Sequence, residues 1–96
     1  MKENKKEQLN EDLKKIIESY CVFPMGDDSW FLELYRTDIV NMIEEIKDTL
    51  KKAVDEQLLK KIIESYCEFP NNTYVLEFYR ADVDNIVEEI VEALED

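Results

Sequence analysis

Ninety-six residues suffice for one small domain, or for two half-size units that share a core, and exclude a large enzyme with a separate cofactor domain. Hydrophobic residues at 45% and aromatics at 10% supply a core despite 38% charge, whereas one Gly and two Pro are too few for a sandwich or barrel of many short strands. The formal net charge of −12 repels phosphate backbones and anionic membranes at long range, so direct binding to DNA, RNA or a lipid surface is not expected.

The chain opens with Met1 to Gln8, Lys-rich and without an apolar segment, which reads as a flexible tail over residues 1–8 rather than a secretory signal. No apolar run approaches the roughly 18 residues that span a bilayer, and a cytoplasmic location is the expectation. Leu13, Ile16, Ile17 and Tyr20 then recur at three-and-four spacing and predict a short amphipathic helix. Phe23-Pro24 ends it, because proline drives the preceding residue toward extended backbone. Beyond the loop Met25-Gly26-Asp27-Asp28, the stretch Ser29 to Arg36 is rich in aromatic and branched residues and predicts a strand. Cys21-Val22-Phe23 would be its short hairpin partner. Ile39, Met42, Ile43, Ile46 and Leu50 return to helical period, with Thr37 as a candidate N-cap.

The same order then recurs. Leu13-Lys-Lys-Ile-Ile-Glu-Ser-Tyr-Cys-Val-Phe-Pro24 returns as Leu59-Lys-Lys-Ile-Ile-Glu-Ser-Tyr-Cys-Glu-Phe-Pro70, with eleven of twelve positions identical. Ser29–Ile46 matches Thr73–Ile90 at nine of eighteen positions, and Asn71-Asn72 replaces the longer loop. The pattern is an internal duplication. Residues 9–54 form the first repeat and 55–96 the second, with Cys67-Glu68-Phe69 pairing with the strand in Thr73–Arg80 and a closing helix on Val83, Ile86, Val87, Ile90 and Leu94. No Gly or Pro lies between Thr37 and Tyr66, yet the apolar stripe creeps round a straight helix there, so a break is expected near Asp55, a candidate N-cap. A unit of about 40 residues rarely sustains its own core. The expected fold is therefore α+β: two tandem helix-hairpin-helix repeats packed as one pseudo-two-fold domain, four helices against four antiparallel strands.

Function is sought first in the charge. After Tyr66 the only cation is Arg80, against nine carboxylates. Asp84, Glu88, Glu92 and Glu95 form one stripe of the closing helix and Asp82 and Glu89 flank it, while Asp38, Glu44 and Glu45 occupy the corresponding helix of the first repeat. Carboxylates one helical turn apart lie about 5–6 Å from each other, comparable to successive phosphates. Twin acidic ridges of this kind suit an inhibitor that mimics nucleic-acid charge and occupies a basic nucleic-acid-processing protein, of the phage anti-defence or nuclease-immunity type. A solvated, solubilising face is the plainer reading of the same residues.

The strands offer another surface. Trp30, Leu32 and Leu34, like Tyr74, Leu76 and Phe78, form one alternating set; Phe31, Glu33, Tyr35 and Val75, Glu77, Tyr79 form the other, whose central glutamates mark it as partly wet. An exposed aromatic face of this composition suits a scaffold, adaptor or homodimerisation module. Catalysis has little support: there is no His, Gly-rich phosphate loop or nucleophile elbow, and neighbouring carboxylates such as Glu44-Glu45 diverge on a helix. Cys21 and Cys67 lack a second thiol or His for zinc, and Asp27-Asp28 lacks the spaced oxygens of a calcium loop. No cofactor and no metal are called for. Arg36 and Arg80 read as structural partners of carboxylates.

Overall fold

A computed structural model describes residues 2–51, 54–68 and 74–95. The order is α1 (Lys2–Tyr20), β1 (Phe31–Tyr35), α2 (Arg36–Leu50), α3 (Glu56–Ser65), β2 (Val75–Tyr79) and α4 (Asp82–Glu95), a small α+β fold of four helices and a two-stranded antiparallel sheet. Residues 2–8, expected to form a tail, continue the backbone of α1. After Tyr20 the chain turns, and Gly26 takes a φ of 73°, the left-handed region open to glycine, at the start of a 3₁₀ turn over Gly26–Asp28. The Met25 amide donates to Ser29 Oγ at 2.6 Å, which gives the buried Ser29 hydroxyl its partner.

The strands pair with each other across the two halves of the sequence: Phe31 lies opposite Tyr79, Leu32 opposite Phe78, Glu33 opposite Glu77, Leu34 opposite Leu76 and Tyr35 opposite Val75. This corrects the expectation of four strands in two hairpins. The first hairpin shrinks to a single bridge, in which the Val22 and Glu33 amides each donate to the other's carbonyl at 2.7 and 3.1 Å. In the second half the Glu68 amide donates to the Glu77 carbonyl at 2.7 Å, and Phe69-Pro70 and Asn71-Asn72-Thr73 lie outside the described residues. Proline two residues past Val22 and a short extended stretch leave no length for a ladder.

The inner face of the sheet is fully covered: Leu32, Leu34, Leu76 and Phe78 join the buried stripes of the helices. Those stripes are Leu13 and Ile17 of α1, Ile39, Met42, Ile43, Ile46 and Leu50 of α2, Leu59 and Ile63 of α3, and Val83, Ile86, Val87, Ile90 and Val91 of α4. Trp30 and Tyr74, expected on this inner side, are instead 58% and 71% exposed. They precede the strands, where the covering helices run out, and their rings turn toward Phe31 and Tyr79 in one case and Tyr35 in the other. Each of α1 and α3 packs against both α2 and α4, while α2 and α4 make no comparable contact with each other.

The chain breaks between Leu50 and Glu56. Lys51 turns left-handed at φ 57° and ψ 30°, with its amide still donating to the Lys47 carbonyl, and Asp55 caps α3 by accepting from the Gln57 amide at 2.9 Å. Thr37 does not cap α2. It lies inside the helix, whose first amide, that of Arg36, donates to the Tyr74 carbonyl at 3.0 Å, so the sheet satisfies a donor that a cap would otherwise serve. Among the described residues no helix is long and apolar enough to cross a membrane.

Lys51 is exposed and carries a side chain where glycine is at ease. Replacement by glycine (Lys51→Gly) is expected to stabilise the fold by about 1 kcal/mol through removal of the left-handed penalty, whereas Lys51→Val should destabilise it. Urea denaturation of the three proteins checks the order.

Candidate functional site

The outer face of the sheet is built by register. Glu33 spends its backbone N–H and C=O on Val22, on the side away from β2, so Glu33 and Glu77 form a non-hydrogen-bonded pair of the antiparallel ladder. Phe31 with Tyr79 and Tyr35 with Val75 share that type, whereas the buried pairs Leu32/Phe78 and Leu34/Leu76 are the hydrogen-bonded ones. Side chains approach most closely at non-hydrogen-bonded pairs, with Cβ atoms about 4.5–5.5 Å apart. Two glutamates therefore face each other at the centre of the uncovered side. Both are half-buried, and among the described residues neither carboxylate is bonded to a cation.

Aromatic rings flank the pair. Phe31, Tyr35 and Val75 are half-buried and Tyr79 is exposed. Trp30 stacks on Tyr79 with centroids 5.8 Å apart and tilts against Phe31 at 4.8 Å, and Tyr74 meets Tyr35 edge-on at 5.3 Å. At the Trp30 end these groups bound a cavity of about 350 Å³ lined by Trp30, Phe31, Glu68, Glu77, Phe78 and Tyr79. Trp30, Tyr74 and Glu68 are absent from the face predicted by alternation because all three lie outside the strands. A signal for Glu68 was nevertheless on view: it is the one mismatch, against Val22, in the twelve-residue repeat.

The acidic helices are more dispersed. Glu44, Glu45, Asp84, Glu88, Glu89 and Glu92 are exposed, Asp38 and Asp82 are half-buried near the strand ends, and the Glu95 side chain lies outside the described set. Several carboxylates have internal duties. Asp84 pairs with Lys14 of α1 at 3.4 Å, Glu45 accepts from the Tyr20 hydroxyl and Glu89 from that of Tyr66. The hydrogen bond to Glu45, followed by burial, raises the Tyr20 pKa; burial, followed by the bond to Glu89, raises that of Tyr66.

The arginines reach the opposite half of the chain rather than the nearby Asp38 and Asp82. Arg36 Nη1 bonds Glu64 of α3 at 2.9 Å, and Arg80 Nε lies 3.8 Å from Glu18 of α1. The 3.8 Å contact is an ion pair without a hydrogen bond, which leaves the buried Glu18 Oε2 unbonded. Arg80 gives its Nη1 to the Asp27 and Ser29 carbonyls at 2.7 and 3.4 Å and sits 5.1 Å over the Phe23 ring. Cys21 and Cys67 are free, half-buried thiols. Burial is the main cause that pushes each up to about 12, with Glu18 and Cys67 adding to Cys21 and Glu64 adding to Cys67. Among the described residues no group of three or more His, Cys, Asp or Glu could hold a metal ion.

No family model matches the chain, and no curated protein or solved structure shows significant similarity to it. The site is therefore read from its own geometry.

Like charges placed directly across a strand pair destabilise it. Glu33→Gln or Glu77→Gln should accordingly raise stability by roughly 0.2–1 kcal/mol, measurable as a higher urea midpoint with unchanged slope. The thiols set an alkaline limit. A thiol raised to about 12 in the folded state, from its ordinary 9.0, contributes fully below pH 9 and loses that contribution as pH rises toward 12, since only the unfolded chain releases the proton in that window. Stability should thus fall above pH 9, less steeply in Cys21→Ala, and native thiols at pH 8 should react with a disulfide reagent at least roughly a hundredfold more slowly than unfolded ones.

Proposed function

We propose that the chain is a duplicated, non-enzymatic binding protein: two copies of one unit packed about an approximate two-fold axis, with the outer sheet face presented to a basic protein partner. Support for the duplication is that equivalent groups exchange roles across the halves. The Arg36 amide donates to Tyr74 and the Arg80 amide to Trp30; Tyr20 bonds Glu45 and Tyr66 bonds Glu89; Arg36 reaches Glu64 and Arg80 reaches Glu18. Glu33 faces its own counterpart, Glu77, as an axis passing through that pair would require.

The observation that carries the binding reading is the same pair. Two half-buried carboxylates, set together by the register against mutual repulsion, with aromatic rings on either side, make a surface that gains when a cation arrives between them. The net charge of −12 steers positive partners toward it. Proteins with strongly basic surfaces are commonly those that handle nucleic acid, and occupation of such a surface would inhibit it. A cytoplasmic setting belongs to this reading and rests on the two unpaired thiols. Nucleic-acid mimicry by the helices is a second reading, favoured by the exposure of Glu44, Glu88 and Glu92. It is weakened by the separation of α2 from α4, which denies the two stripes a common groove. Self-association through the sheet face is the third outcome to test.

Immobilised protein, challenged at low and high salt with a nuclease-treated lysate, should retain a basic protein that salt releases. Neutralisation of the sheet pair, Glu33→Gln with Glu77→Gln, is expected to weaken that capture roughly tenfold, while the triple variant Glu44→Gln, Glu88→Gln, Glu92→Gln leaves it within about twofold. The reverse ranking would transfer the function to the helices. Retention of nothing but the protein itself, with light scattering showing dimers, would replace both readings by self-assembly.

A further inference from the structure

We propose that the cavity at the Trp30 end of the sheet receives an arginine side chain of the partner. This rests on the reading of the chain as a binder of basic protein and names the group it grips. The cavity, about 350 Å³, is near the lower bound for ligand pockets and suits one inserted side chain better than a cofactor. Its walls are the rings of Trp30, Phe31 and Tyr79 and the acidic residues Glu68 and Glu77, with no cation among the described residues that line it; Phe78 borders it from the strand, with its ring buried in the core beneath. Planar rings and carboxylates together are what a guanidinium selects: it stacks on the former and donates in parallel to the latter. An ammonium, compact and strongly hydrated, exploits the rings less well. The neighbouring Arg80 does not compete. It alternates to the other side of the strand from Tyr79 and is held by Asp27, Ser29 and Phe23.

An independent observation is the difference between the two ends of the sheet. Under the proposed duplication, the counterparts of Trp30, Phe31 and Glu68 are Tyr74, Val75 and Val22, while Glu77 and Tyr79 keep Glu33 and Tyr35. Each of these three differences gives the Trp30 end a larger ring, an added ring or an added carboxylate. A shared fold asks the same of both exposed ends, so packing does not account for this bias, and it runs in the direction a guanidinium site needs.

Trp30 is the sole tryptophan, so its emission reports the cavity directly. Titration with N-acetyl-arginine methylamide at constant ionic strength should give a saturable change with a midpoint of roughly millimolar order, as expected for one side chain alone. The neutral isostere N-acetyl-citrulline methylamide should give none, and the lysine analogue should bind several-fold more weakly. Glu68→Gln and Glu77→Gln, with circular dichroism unchanged, should each weaken the arginine response by about fivefold, and Glu33→Gln, which faces Glu77 but does not line the cavity, should weaken it less. An unsaturable response, an equal response to citrulline, a preference for lysine, or an equal loss in Glu33→Gln would each overturn the assignment. A null titration alongside continued salt-sensitive capture of a basic protein removes the cavity while the binding reading stands; failure of both removes both.

Discussion

The structure depends on one pairing. β1 finds its full-length partner in β2, from the other end of the chain, and the single bridge that Val22 offers within its own half is too short to hold five residues extended. Burial of Leu32, Leu34, Leu76 and Phe78 selects the alternation, because a slip of one residue would bring the opposite set inward. The antiparallel register then sets like against like on the outer side. Glu33 opposite Glu77 is thus a consequence of how the core is closed, and the repulsion it brings is outweighed by four fully buried apolar side chains directly beneath. Two long-range backbone bonds, from Arg36 to Tyr74 and from Arg80 to Trp30, tie the entries of α2 and α4 to the same ladder.

Seen from that pairing, the acid of the chain divides into two kinds. Asp38, Asp82 and Asp84 lie in the first turns of α2 and α4, where a negative charge is favoured by the exposed amides of a helix start, and they need no partner to account for them. Glu18 and Glu64 hold the arginines of the opposite half, and Glu56 holds Lys47 at 2.8 Å across the break between α2 and α3. Among the described carboxylates without such employment are Glu33, Glu77 and Glu68 beside the rings, and Glu44, Glu88 and Glu92 on the helix surfaces. Glu33 and Glu77 are half-buried, whereas Glu68 and the helix set face water, and a charge near low-dielectric walls attracts a counter-charge more strongly than one fully hydrated. Enclosure, more than the number of carboxylates, distinguishes the sheet pair from the helix stripes.

The sequence was legible where periodicity and a local signal agreed. The four helices follow from their apolar stripes, and the break near Asp55 follows from the creep of the stripe together with a side chain able to cap. Strand positions were legible too, but strand partners were not. Alternation states which residues face inward and is silent about which strand lies alongside; the nearest extended neighbour, Cys21-Val22-Phe23, was the local choice, and the distant strand prevailed because it offers five residues instead of one bridge. Thr37 misled for a related reason: the amide it would have capped belongs to a helix whose first turn is served by the sheet. The outer face was read in its central six residues, while its rim, Trp30, Tyr74 and Glu68, was missed because rim residues obey the local turn and not the alternation.

Glu68 carries the most weight in what that rim implies. Eleven of the twelve residues that open each repeat are identical, and the twelfth places a carboxylate at the cavity in one copy and a valine at the bridge in the other. Neither residue is required by its backbone: the Val22 amide bonds Glu33 and the Glu68 amide bonds Glu77, and an amide is indifferent to the side chain it carries. Val22 is itself 40% exposed, so burial does not explain its apolar character. A charge at 68 adds acid beside Glu77 at the cavity. With the mismatches at 30 and 31, Glu68 makes the Trp30 end of the sheet more aromatic and more acidic than the other.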